Sequence, residues 1–188
     1  MCPPEVRSQD AENEAVLQAA KLMLVSARTA PKSAGIDDIF TVILYGKEKD
    51  AIADEMDKIA EERKLQGFTR DAKNTRDSQA IVLIGVRGNK SFGLDCGACG
   101  YGTCEEFNRT QGKPSRDFEG PTCLFKSLDL GIALGSAAKT ADILNVDNRI
   151  MYRVGAAAKR LKLLPDANII MGIPVSAKGK SIYFDRGK

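Results

Sequence analysis

The chain contains no histidine and no tryptophan, and aromatic residues make up only 6% of its 188 positions. Without imidazole there is no Ser-His-Asp or Cys-His catalytic pair, no histidine-ligated haem, no mixed Cys/His zinc finger and no histidine acid–base chemistry. With so few aromatic rings, stacking platforms for single-stranded nucleic acid are poorly supplied. Neither sign of charge dominates: 28 Lys+Arg stand against 25 Asp+Glu, a net +3, which gives no electrostatic case for a nucleic-acid partner. No apolar run approaches the roughly 18 residues of a membrane span. The first residues, Met1-Cys2-Pro3-Pro4-Glu5, show no basic stretch followed by an apolar one. The chain therefore reads as a cytoplasmic protein that uses neither a membrane nor a nucleic acid.

What is present is enough for a real core, with 43% hydrophobic residues, and the length suits one domain. Apolar spacings of three and four over 11–27 predict a helix. Ile39–Tyr45 and Ala80–Val86 are β-branched runs that predict buried strands, the first stopped by Gly46. The charged stretch 47–65 keeps Ile52, Met56 and Ile59 on one side and predicts an amphipathic helix; 66–78 reads as a polar loop. Glu105 and Glu106 open a short helix. A long helix capped by Thr122 and running to about Leu144 is apolar almost all round, which predicts a central, buried element and favours a homodimer. A further helix near 156–163 leads through Pro165 into a strand at 169–173. From Arg149 onward nine basic residues face two acidic ones, a local +7 that suits a phosphate-bearing ligand or an acidic partner as well as a solvated face.

Four of the five cysteines fall within residues 96–123, as Cys96-x2-Cys99-x4-Cys104-x18-Cys123. Four thiolates at such spacing are the ligand set of an iron–sulfur cluster or of a structural zinc site. Disulfides are disfavoured in a cytoplasmic chain. Structural zinc usually pairs two short knuckles, whereas three ligands in one tight loop and a remote fourth suit a loop wrapping a bulky cube. Gly97, Gly100 and Gly102 let backbone N–H groups turn toward sulfide, and Cys123 opens a helix whose free N–H groups favour an anion. The expected metal ligands are Cys96, Cys99, Cys104 and Cys123, holding one [4Fe–4S] cluster; Cys2 is a spare thiol.

The pattern Cys-Gly-x-Cys-Gly-x-x-x-Cys with a distant Cys resembles the [4Fe–4S] domain of membrane electron-transport complexes and corrinoid iron–sulfur proteins. From about Ala19 to Arg186 the chain also resembles a family of uncharacterised prokaryotic proteins containing a ferredoxin domain, through residues 26–31 (Ser-Ala-Arg-Thr-Ala-Pro), 129–136 and 171–174 (Met-Gly-Ile-Pro). It is similar, besides, to the nitroreductase superfamily of FMN-dependent homodimers: a helix ends in Ala30-Pro31-Lys32-Ser33 before a strand, and a buried Ala-rich helix, Leu164-Pro165 and Gly172-Ile173-Pro174 follow later. That superfamily's amino-terminal Arg-Arg-Ser motif is absent, and Ile36-Asp37-Asp38 stands where it has Asn-x-Gln.

These resemblances imply one α+β domain over 1–188, a nitroreductase-like mixed sheet flanked by helices, with a cluster-binding insertion at 94–123. They imply a redox protein, an oxidoreductase or an electron carrier, served by a redox partner protein or a flavin. FMN would lie near Arg28, Pro31, Lys32 and Ser33, with Lys180 and Arg186 around its phosphate. The competing readings are a cluster- or zinc-stabilised binding or sensor module, and a flavin oxidoreductase in which the cysteines are incidental.

Overall fold

The architecture is taken from a computed structural model, which describes residues 5–110 and 112–184. Its centre is a four-stranded sheet in the order β1 (Ile39–Tyr45), β2 (Ala80–Val86), β6 (Ile169–Ser176), β5 (Asp147–Asn148). Every pairing is antiparallel, with Ile39 opposite Val86, Val86 opposite Ile169 and Asp147 opposite Ser176. The α+β, helix-flanked architecture is as expected, but the sheet is antiparallel throughout where the sequence suggested a mixed one. The reason lies in the connections: successive neighbours run in opposite directions, so no parallel pair arises. A separate two-residue ribbon pairs β3 (Lys113–Pro114) with β4 (Glu119–Gly120).

Strand alternation divides the core in two. On one face Val82, Ile84, Ile173 and Val175 meet α1 (Ser8–Thr29) and α5 (Leu124–Ile143). On the other, Ile81, Leu83 and Ile170 meet α2 (Gly46–Arg63), α3 (Gln66–Asp77) and α6 (Tyr152–Arg160). β2, fully buried, serves both layers. Helix α6 presses closest to the sheet: a Cβ on Gly155 would lie 1.7 Å from the Ile170 carbonyl oxygen. Only a residue without a side chain fits there.

Four expectations need correction. Residues 66–78 form helix α3, not a loop; its apolar stripe is narrow, Phe68 and Ala72 continued by the buried Thr75 hydroxyl, which bonds back to the Asp71 carbonyl. Helix α5 is buried on one side only: Leu130, Ala133, Leu134, Ala137 and Ala141 face the core, whereas Leu124, Leu128 and Ile132 are exposed. Its N-cap is Cys123 instead of Thr122, and Thr122 Oγ1 accepts from the Asn168 side chain instead. Helix α6 starts at Tyr152, four residues before its sequence signal.

Candidate functional site

The cysteines lie on segments that leave the sheet where β2 finishes and β6 begins. Arg87 N donates to the Asp38 carbonyl, and Asn168 N to the Val86 carbonyl, so the chain leaves the sheet at Gly88 under firm constraint. Asn168 then joins three segments. Its buried Oδ1 accepts from Gly88 N at 2.5 Å, and its Nδ2 donates to the Glu119 carbonyl at 3.1 Å and to Thr122 Oγ1 at 3.0 Å. Cys123 N closes the same junction by donating to the Gly88 carbonyl at 2.8 Å. A Cβ on Gly88 would sit 2.4 Å from the Thr122 methyl, so this close approach requires glycine.

From Gly88 the chain runs through Ser91 and Phe92 into the three-cysteine loop. Gly97 and Gly100 have positive φ of 68° and 89°, and Gly100 N bonds the Gly97 carbonyl, making a tight turn between Cys96 and Cys99. Asp95 closes the loop on helix α4 (Cys104–Arg109): its carboxylate accepts from Cys104 N at 2.6 Å, and its own N–H donates to Cys104 Sγ at 3.3 Å. A capping box of Thr103 and Glu106 fixes the start of that helix, and Tyr101 packs edge-on against buried Phe107. The Cys104 thiol is pulled below its usual range, by the Ser91 hydroxyl first and then by the Asp95 backbone N–H, with Gly93 and Leu94 adding to it. The Ser91 hydroxyl is buried and meets no partner in full hydrogen-bond geometry, so the Asp95 N–H is the better defined donor.

Cys96 is exposed, Cys99 and Cys104 are partly buried, Cys123 is buried, and all four are free thiols. Among the described residues no three Cys, Asp or Glu side chains are drawn together as a single metal ion demands. Tetrahedral zinc would bring its sulfurs to within about 3.8 Å of one another, given Zn–S bonds of about 2.3 Å. A four-iron cube spans its ligands more widely. The donors present fit such a cube in type: four unpaired thiols, the Asp95 N–H aimed at one sulfur, and open space around Gly100.

Three charged residues that the sequence reading missed flank this corner. Lys126, one turn into α5 and only 1% exposed, pairs with Asp38, and its ammonium lies 3.6 Å from the centre of the Phe92 ring. Asp129, a turn further on, is buried and accepts from the Ser33 N–H at 2.9 Å and hydroxyl at 2.8 Å. In sequence, isolated Lys and Asp look like surface residues; the one available signal was their place among apolar neighbours in a helix.

The expected flavin cradle is only partly assembled. Arg28, Pro31, Lys32 and Ser33 do share one corner, but their polar groups are committed within the chain. Arg28 donates to the Ile39 carbonyl and pairs with Asp37 at 2.5 Å; Lys32 Nζ donates to the carbonyls of Arg28 and Ala30 at 2.5 and 2.8 Å, satisfying the end of α1. Ser33 is held by Asp129, and Pro31 is exposed. Lys180 does not join them. Strand β6 carries the chain away from this corner, roughly 20 Å at about 3.3 Å per residue, and the segment beyond it is tied to the far end through Lys178 Nζ on the Asp77 carbonyl. Arg186 and Cys2 lie outside the described residues.

Comparison with known proteins follows the same lines. Solved structures of similar fold include the nitroreductase from Saccharomyces cerevisiae (11% identity, 97% of this chain and 89% of that chain, TM-score 0.57). Others are the nitroreductase CinD from Lactococcus lactis in complex with nicotinic acid (15%, 98% and 84%, 0.54) and an oxidoreductase containing FMN (13%, 87% and 67%, 0.54). At such identities they establish a nitroreductase-like fold. No helix among the described residues is long and apolar enough to cross a membrane. An uncharacterised protein of Archaeoglobus fulgidus is 49% identical over 96% of this chain and 97% of its own length. The profile of a family described as uncharacterised proteins containing a ferredoxin domain matches residues 119–186, a stretch that includes Cys123. The chain belongs to this family of ferredoxin-domain proteins, built on a nitroreductase-like fold.

Proposed function

We propose that this chain is a redox protein that holds one [4Fe–4S] cluster through the thiolates of Cys96, Cys99, Cys104 and Cys123 and passes electrons to or from a partner protein or a flavin. One observation carries the reading: both parts of the three-plus-one cysteine set are bonded to residues 88–95, Cys123 N–H to the Gly88 carbonyl and Cys104 to Asp95 through its N–H and its sulfur. When bound, such a cluster supplies one-electron chemistry at a potential set by its surroundings. The chain's own residues do the rest. Asp95 holds the loop shut, N–H donors favour the Cys104 thiolate, and Asn168 keeps the loop's entry beside the helix that carries Cys123. The rival reading, a zinc-stabilised sensor module on the same four thiols, differs from the cluster in holding no sulfide.

The protein works as a homodimer in this reading, through the exposed apolar side chains of Leu22, Val25, Leu124, Leu128 and Ile132 on α1 and α5. Its compartment is the cytoplasm, where thiols stay reduced. The test is anaerobic reconstitution followed by iron and sulfide analysis. Each single Cys→Ser change at the four positions should lose most of the iron, and Cys2→Ser none. Unchanged iron and sulfide in all four variants would sink the assignment, and tightly bound zinc without sulfide would replace it with the sensor reading.

A second reading is favoured by the FMN-containing oxidoreductase among the fold's neighbours. FMN would lie at the Arg28–Ser33 corner, next to the cysteine junction through Asp129 and Asp38. The internal partners of Arg28 and Lys32 weigh against it, since they would have to be released. Anaerobic titration with FMN decides: absence of fluorescence quenching up to about 100 μM removes this reading.

A further inference from the structure

Lys126 is the most costly side chain near the cysteines. It is 1% exposed, and it sits in the first turn of α5, where the helix dipole is least favourable to a cation. Its pairing with Asp38 does not explain it, because a buried ion pair can often be replaced by apolar side chains without loss of stability. Its surroundings do. Cys123 lies one turn earlier on the same helix, and Lys126 is the first charged residue after it. The ring of Phe92 lies under the ammonium at 3.6 Å and also packs edge-on against Phe125. Three residues past Phe92, Asp95 bonds Cys104 through both its N–H and its carboxylate. The ammonium thus lies between the segment that leads into the three-cysteine loop and the helix opened by the fourth cysteine. The carboxylate of Asp38 is shared with a second cation, Arg87, at 3.9 Å, and Asp129 is occupied by Ser33.

We infer that Lys126 is a fixed counter-charge for the four-cysteine site, placed to make acceptance of an electron easier; this rests on the cluster reading above. A cube held by four thiolates is an anion, and taking one electron from an outer-sphere one-electron donor adds one negative charge without making or breaking a bond or moving a proton. A desolvated positive charge one helical turn away favours the more negative state, and burial limits the screening of that effect by water. Lys126 acts here as a positioning and tuning residue and touches no reacting atom.

The experiment measures iron and sulfide content and midpoint potential, by anaerobic dithionite titration of the reconstituted full chain. Lys126→Met should lower the potential, so that at the wild-type midpoint the reduced-to-oxidised ratio falls about tenfold, equivalent to about 59 mV for one electron. Lys126→Arg, which keeps the charge, should restore a near wild-type value. Asp38→Asn, which leaves the ammonium unopposed, should shift the potential the other way. Opposite signs are the signature, because a merely structural role would move both variants alike. Full iron content with no shift, or shifts of the same sign, overturns the inference and leaves the cluster standing. If Lys126→Met does not fold, absence of a positive shift in Asp38→Asn is by itself decisive. A wild-type chain that takes up neither iron nor sulfide overturns the cluster reading instead.

Discussion

The two helical layers on either side of the sheet present different outer surfaces. The layer of α2, α3 and α6 turns a charged face outward, where Arg76 bridges Asp54 and Asp57 at 2.8 and 2.6 Å and Arg160 reaches Glu55 and Glu62 at 2.9 and 2.7 Å. The layer of α1 and α5 exposes Leu22, Val25, Leu124, Leu128 and Ile132 instead. Surface ion pairs contribute little stability each, so the first face is explained by solvation. The apolar side chains exposed on α1 and α5 have no such explanation, and they are the surface assigned to the proposed homodimer. The difference also divides the glycines: Gly155 in α6 is packed against backbone, whereas a Cβ on Gly131 or Gly135 in α5 would meet nothing within 4 Å.

The sharpest break in this comparison is the same substitution made on both sides. Gly155→Ala should destabilise the chain by about 3 kcal/mol or more, because the new methyl group meets a carbonyl oxygen that belongs to the sheet. Gly135→Ala should stabilise the isolated chain by up to about 1 kcal/mol through helix propensity alone. Urea unfolding of the two variants checks this; equal midpoints would show that the two layers are packed alike.

Asn168 stands at the start of β6, and its loss tests the junction that ties the entry of the cysteine loop to Thr122. Asn168→Ala leaves the Gly88 N–H and Thr122 hydroxyl without their partner, for an expected cost of about 1–3 kcal/mol. Hydrogen exchange should show the effect concentrated at Gly88 and in the cysteine loop, with the α2 and α3 amides unchanged. Uniform loss of protection would mean that Asn168 supports the whole fold.

Sequence reading reached the strands easily, because Ile39–Tyr45 and Ala80–Val86 are apolar on both faces and β2 is buried on both. It reached the cysteine loop because Cys and Gly at fixed intervals are rare by chance. It missed α3 because Phe68 and Ala72 alone carry a stripe otherwise made of Asp71, Asn74 and Thr75, polar residues that are nonetheless buried. It overstated the burial of α5 because a helix that is apolar almost all round does not reveal in its composition which side meets the core. The polar residues that organise the corner, Asp38, Lys126 and Asn168, were illegible for the converse reason: their partners lie 46 to 88 positions away.

The apolar face invites a smaller, more selective perturbation. Leu128→Glu would put a charge into the contact if α1 and α5 form the dimer interface, weakening association at least tenfold, or about 1.4 kcal/mol. Glu61→Lys on the exposed face of α2 should leave association unchanged. Sedimentation at micromolar concentration reads both. A wild-type monomer, or a Leu128→Glu dimer as tight as wild type, would remove the interface from this face.

The smallest expected effect belongs to the charged layer and appears at high pH. The Tyr152 hydroxyl donates to Asp117 at 2.6 Å, and Asp117 is also paired with Arg63. Partial burial, then the bond to Asp117, push the Tyr152 phenol up to about 12 from the usual 10. Asp117 is lowered, burial opposing and the Tyr152 and Arg63 contacts prevailing. For the tyrosine the folded state holds its proton more tightly than the unfolded one, so the contribution is complete below pH 10 and fades as pH rises toward 12. For Asp117 the sign is reversed: its contribution is present above the unfolded carboxylate range and is lost as pH falls through the lowered folded value. Tyr152 is 46% exposed, so solvent screens the interaction and the gain is small. Tyr152→Phe should therefore flatten only the alkaline limb of stability against pH, leaving most of the acid limb, which Arg63 supports, in place. An alkaline limb of the same slope in wild type and Tyr152→Phe would mean that this ring, at the rim of the charged layer, is no more coupled to the fold than the solvated ion pairs around it.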